Sequence, residues 1–113
     1  MTYTISEKNT IQVVEVETLF NEIENRVILD EVENRIRKGL NKFIIDLSKL
    51  DFMNSVGLNF MISIMTKSRN SGGNMAVANA PEQVLNLLEV TKLRPFFILK
   101  PSVDEAVRIF NSN

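Results

Sequence analysis

Four short apolar runs, each followed by a stretch whose apolar residues recur every three or four positions, constrain this chain more than any other feature. The clearest run is Phe43-Ile44-Ile45-Asp46-Leu47, bounded by polar residues. It shows no apolar/polar alternation, so both of its faces need cover, as in a strand inside a parallel sheet. We place it as the central strand. Strands alternating with helices then imply right-handed crossovers, a mostly parallel sheet and helices packed against it.

The chain opens differently. Tyr3 and Ile5, then Ile11, Val13, Val14 and Val16, form two strand-like runs separated by Glu7-Lys8-Asn9-Thr10, whose polar residues suit a turn. This predicts an N-terminal antiparallel hairpin at the sheet edge. Leu29, Val32, Ile36 and Leu40 mark a first helix ending at Gly39. Its start is set either by a capping box at Asn21-Glu22-Ile23-Glu24 or by Asn25 as the cap.

Leu58, Met61, Ile62 and Met65 stripe a second helix that closes with Lys67, Arg69 and Asn70 before Gly72-Gly73. A Met-Ala-Val-Ala strand lies within Asn74 to Asn79, and Pro81 with Glu82 opens a third helix whose Val84, Leu87 and Leu88 face inward. Phe96 to Leu99 reads as the last strand. Ser102-Val103-Asp104-Glu105 is a capping box for a final helix with Val103, Ala106, Val107 and Phe110 inside. The expected order is ββαβαβαβα in one α/β domain over residues 1–113, with no linker, repeat or low-complexity segment.

The chain contains neither His nor Cys, which removes nucleophilic triads, imidazole acid/base chemistry, histidine phosphorelay and most zinc sites. With 113 residues, 44% of them hydrophobic, it buries roughly 65% of its unfolded surface and needs no disulfide or structural metal. A net charge of −1 leaves no global basic field, so nucleic acid is not an expected partner. The start from Met1 to Thr10 is polar, and no stretch approaches the roughly 20 apolar residues of a membrane span, so a cytoplasmic protein without membrane insertion is expected.

Asp51-Phe52-Met53-Asn54-Ser55-Val56-Gly57-Leu58 joins the exit of the central strand to the second helix, where open α/β sheets tend to carry their sites. Ser55 sits within a residue of the helix start. Its hydroxyl can serve as the N-cap, beside unpaired backbone N–H donors and the positive end of the helix dipole. A plain cap and a functional hydroxyl are both consistent with that position. Gly57 in the first turn costs roughly 1 kcal/mol relative to Ala, which indicates a close approach to the backbone, either by a partner or by tight packing.

The segments Phe43-Ile-Ile-Asp-Leu-Ser, Phe52-Met-Asn-Ser-Val-Gly-Leu and Gly72-Gly-Asn-Met-Ala-Val resemble a STAS domain of the anti-sigma factor antagonist type. Val84-Leu-Asn-Leu-Leu-Glu-Val-Thr-Lys-Leu, Phe96-Phe97-Ile98 and Glu105-Ala106-Val107 extend the resemblance over nearly the whole chain. It implies a switch protein and not an enzyme, with Ser55 as phosphoacceptor. The implied partners are an anti-sigma serine kinase of the histidine-kinase ATPase fold and a resetting PP2C-type phosphatase; no cofactor or metal is implied.

Two positions depart from the family pattern. Asn54 stands where the family usually has Asp, and Asn21-Glu-Ile-Glu24 replaces a Gly-x-Leu-Asp segment, with Glu24 in the place of that Asp. Expected partner contacts are Glu24, Met53, Asn54, Val56 and Gly57, with Met53, Val56 and Phe60 as candidate apolar contacts if they are not core. Two other readings compete. One is a STAS scaffold or regulatory module that is never phosphorylated, and the other is a receiver-like domain using Asp46, Asp51 and Lys100. A Ser55 nucleophile lacks a suitably spaced base.

Overall fold

The computed structural model describes residues 3–111, so the ends of the expected 1–113 domain, positions 1–2 and 112–113, lie outside it. The elements run β1 (Tyr3–Lys8), β2 (Ile11–Val16), α1 (Glu22–Arg37), β3 (Lys42–Asp46), α2 (Ser55–Asn70), β4 (Asn74–Ala78), α3 (Glu82–Val90), a 3-10 turn (Arg94–Phe96), β5 (Ile98–Lys100) and α4 (Val103–Asn111). The five strands lie in the order β1-β2-β3-β4-β5. β1 is antiparallel to β2 and every other pairing is parallel. The order ββαβαβαβα and the central place of β3 are as the hydropathy pattern implies.

Both faces of β3 are covered. Phe43 and Ile45 join Val14, Met75 and Val77 beneath α1, α2 and α3, which contribute Ile28, Val32, Leu58, Met61, Ile64, Val84 and Leu88. Ile44 points the other way, with Ile11, Val13, Ala76 and Ala78, beneath Ala106 of α4. Each fully buried aliphatic side chain contributes roughly 1.5 to 3 kcal/mol, so this three-layer core is the main source of stability. The small Ala76 and Ala78 let α4 sit close to the sheet. Among the described residues no helix is long and apolar enough to cross a membrane.

Local chemistry moves several boundaries. The first turn is only Asn9-Thr10, both at positive φ, as in the two-residue turns that match strand twist. Glu7 and Lys8 therefore belong to β1, opposite Gln12 and Ile11. Of the two candidate caps for α1, Asn21 is used: its side-chain oxygen accepts from the amides of Ile23 (2.8 Å) and Glu24 (3.2 Å). Asn25 is buried and donates to the Leu19 carbonyl at 3.0 Å. α1 stops at Arg37, and the amides of Gly39 and Leu40 bond back to the Ile36 and Arg35 carbonyls, a Schellman closure. Leu40 thus lies beyond the helix.

The last strand is shorter than its apolar run. Pro95 lacks a donor and favours a turn, so Arg94–Phe96 forms a 3-10 turn with Phe96 exposed, and β5 begins at Ile98. Ser102 caps α4, its hydroxyl accepting from the Glu105 amide at 3.1 Å.

Two contacts hold the end of the sheet opposite the helix N-termini. Gly73 passes so close to Asn41 that an added Cβ would lie 1.9 Å from the Asn41 carbonyl oxygen. Glu33 of α1 pairs with Lys67 of α2 at 2.7 Å, and the hydrogen bond from the ammonium is the main reason the Glu33 carboxyl lies below its ordinary range.

These contacts give two expectations. Gly73→Ala should lower stability by at least about 1 to 3 kcal/mol in urea denaturation, because backbone and not a flexible side chain must move. The Glu33–Lys67 pair should contribute up to about 1 kcal/mol. Since the folded-state pKa is lowered, that contribution is present above the unfolded carboxylate pKa and is lost as pH falls through the folded value. Urea midpoints of wild type and Glu33→Gln should therefore differ at pH 7 and converge as the pH falls through the lowered carboxylate pKa of the folded state.

Candidate functional site

The loop from β3 to α2 is built by alternating anchors. The Leu47 amide bonds the Ala78 carbonyl at 3.0 Å, and the Leu50 amide returns to the Leu47 carbonyl at 3.1 Å. Leu50 and Met53 turn into the core while Phe52 turns out. Gln83 of α3 then clamps the main chain of Met53 from both sides, accepting from its amide at 2.9 Å and donating to its carbonyl at 2.7 Å. This two-point clamp holds the residues that lead into α2. It is invisible in sequence, where Gln83 reads as an ordinary polar position in the first turn of α3.

The cap of α2 is Asn54 and not Ser55. The Asn54 side-chain oxygen accepts from the amides of Val56 (3.0 Å) and Gly57 (3.4 Å). Ser55 is the first helical residue, exposed, and among the described residues its hydroxyl has no hydrogen-bond partner. Of the two readings of Ser55, a plain cap is thereby removed. The hydroxyl stands free at the positive end of a sixteen-residue helix that has no acidic residue in its first turn.

The other expected contact residues divide. Met53, Gly57 and Phe60 are buried and belong to the interior, Phe60 forming part of the floor of the groove between α1 and α2. Gly57 answers to tight packing: a Cβ there would lie 2.9 Å from Met53 Cγ and 3.1 Å from Leu19 Cβ. It lets the first turn of α2 press on the end of the β2–α1 connection. Val56 is half-buried on the wall of a shallow groove between α1 and α2, shared with Glu22, Asn25, Arg26 and Asn59. Glu24 is exposed in the first turn of α1, outside that groove.

Two residues that sequence reasoning passed over stand out. Phe20, in the β2–α1 connection, stacks on Phe52 with ring centroids 5.9 Å apart and planes 29° from parallel. Both remain about half exposed, at 49% and 46%. Their positions in two separate connections carry no shared sequence period, so only the fold brings them together.

The receiver-like constellation does not assemble. Asp46 is buried and one of its oxygens accepts from the Ser48 amide at 3.0 Å and from Asn79 Nδ2 at 2.9 Å. Asp51 is exposed in the β3–α2 loop, and Lys100 lies in β5, two strands away from Asp46 with Ala78 between them. Among the described residues no three His, Cys, Asp or Glu side chains are grouped to hold a metal ion.

Asn54→Ala should cost about 1 kcal/mol by removing the cap, while Asn54→Asp should keep the stability, because a carboxylate accepts the same two amides. Urea melts of the two variants read this directly.

A family model described as "STAS domain" matches residues 3–106. A putative anti-sigma factor antagonist from Thermotoga maritima superposes with a TM-score of 0.84 at 20% identity, covering 94% of this chain and 92% of that one. The unphosphorylated anti-sigma factor antagonist SpoIIAA gives 0.82 at 15% identity, with 98% and 97% covered. The phosphorylated Bacillus cell fate determinant SpoIIAA gives 0.75 at 15% identity, with 95% and 98% covered. The match over nearly the whole length, with the β1–β2 hairpin edge and the four helices in place, assigns this chain to the STAS domain family.

Proposed function

We propose that the protein is a phosphorylation-controlled partner switch of the anti-sigma factor antagonist type, a binding protein of the cytoplasm and not an enzyme. Its unphosphorylated form binds an anti-sigma serine kinase of the histidine-kinase ATPase fold and so releases the kinase's target. Phosphate on Ser55 blocks that binding, and a PP2C-type phosphatase restores it. The observation that carries this reading is the Ser55 hydroxyl, exposed and uncommitted because Asn54 does the capping. Fold similarity to SpoIIAA, described in phosphorylated and unphosphorylated forms, is consistent with it.

Electrostatics favour a switch by direct blockade. Phosphorylation adds about −1.5 to −2 charge and three strong acceptor oxygens at the start of α2. The helix dipole favours an anion there by roughly 0.3 to 1 kcal/mol, so the fold accepts the group without rearranging. A partner pressed onto the site must instead desolvate it. Reversing a complex from 99:1 to 1:99 takes about 5.5 kcal/mol, within the several kcal/mol that an uncompensated buried charge costs.

Asn54 favours one second reading. Lacking the usual carboxylate beside the acceptor, the chain would act as a STAS scaffold that is never phosphorylated.

The two readings separate in one assay. The purified chain is incubated with ATP, Mg²⁺ and native-host lysate, and phosphate is located by peptide mass spectrometry with Ser55→Ala as control. Phosphate at Ser55, absent from the control, is expected. No phosphate with a competent kinase present supports the scaffold. Once the kinase is in hand, Ser55→Asp should weaken its binding less than true phosphorylation does, because its charge is smaller and its shape different; equal affinity of unmodified and phosphorylated protein would overturn blockade.

A further inference from the structure

We infer that the connections flanking Ser55 form a docking patch anchored by Phe20 and Phe52, and that its occupant is a partner protein presenting an apolar pocket with a basic rim. The inference rests on the partner-switch reading and names the surface that the switch would use.

Its apolar side chains are more exposed than large apolar residues usually are. Phe20 and Phe52 are each about half exposed although stacked on one another, and Ile23 and Val27, four apart on the outward side of α1, are 80% and 53% exposed. Burial of such aromatic pairs is where binding energy concentrates in protein interfaces. The pair is also rigid. Phe52 sits between the buried anchors Leu50 and Met53, and Met53 is held by Gln83, so little conformational freedom remains to be lost on binding.

Charge selects the occupant. Glu22 and Glu24 beside Ile23, Asp51 beside Phe52 and Glu17 three residues before Phe20 are exposed and form no ion pair among the described residues. The nearby cations are committed, Lys49 to Glu15 at 3.3 Å and Arg26 to Asp30 at 3.4 Å. Exposed apolar residues flanked in sequence by carboxylates that form no ion pair among the described residues disfavour anionic lipid headgroups and nucleic acid phosphates. A two-fold pairing with a second copy would set the same carboxylates against one another. A protein surface with Lys and Arg around an apolar pocket satisfies both features. The basic rim faces the carboxylates of the flanking connections, and the apolar pocket faces Phe52 and the neighbouring Ser55, so a phosphate three residues after Phe52 is desolvated there without a cation to compensate it.

The test places a photo-reactive benzoylphenylalanine in place of Phe52 in the full chain and irradiates it in native-host lysate. The adduct is identified, the captured protein is expressed, and its binding to wild type, Phe20→Ser, Phe52→Ala and the double variant Glu22→Gln/Asp51→Asn is measured by calorimetry and stopped flow at rising salt. Each aromatic variant should keep its urea midpoint yet bind roughly tenfold to a hundredfold more weakly. Association should slow with salt and with removal of the carboxylates.

Undiminished binding by the aromatic variants, salt-independent association, no adduct, or an adduct only with a second copy of this chain overturns the inference. A kinase that labels Ser55 yet binds both aromatic variants normally removes the patch and leaves the switch standing. A chain never labelled at Ser55 whose captured partner requires Phe52 does the reverse.

Discussion

The structure depends on the double burial of β3. Phe43 and Ile45 on one side and Ile44 on the other cannot all leave water unless helices lie on both faces of the sheet. That requirement makes the neighbouring pairings parallel, forces each return through a helix, and brings the N-termini of α1, α2 and α3 to the edge where the strands end. The candidate site stands at that edge as a consequence of the core and not as an addition to it.

At the edge, a division of labour between neighbours decides what Ser55 can do. Asn54 satisfies two of the orphan amides of α2, which leaves the next hydroxyl without an internal task. Buried neighbours hold the two residues in this register. Leu50 and Met53 are locked inward, Gln83 pins the Met53 main chain, and Gly57 lets Leu19 and Met53 close on the first turn. A carboxamide cap also adds no charge beside the hydroxyl, so the local field there is set by the helix dipole and by the surface carboxylates of the flanking connections.

Those connections give the site its surface. The Phe20–Phe52 stack joins the approach to α1 with the approach to α2, and the same two connections carry exposed carboxylates that form no ion pair among the described residues. The opposite end of the sheet is tied by Glu33–Lys67 and by the close passage of Gly73 over Asn41. One end is thus tied by contacts within the chain, while the other exposes the aromatic pair and the Ser55 hydroxyl.

Long periodic segments are legible because their pattern reports burial directly: the run at Phe43 to Leu47 and the Ser102 cap stand where the pattern indicates, and in α2 Leu58 and Met61 are buried as expected, while Ile62 and Met65 are only partly so and Ile64 fills the core. Phe96 was misleading, since an apolar residue beside Pro95 reads like strand yet turns outward. By itself, then, the sequence determined the element order, the central strand and the segment that carries the site, because these follow from periodicity and local propensity. Only the tertiary structure decided that Asn54 caps while Ser55 stays free, that Met53, Gly57 and Phe60 turn inward, and that Phe20 meets Phe52. Each of those outcomes depends on which distant surfaces pack together, and neighbours such as Asn54 and Ser55 have nearly equal local preferences.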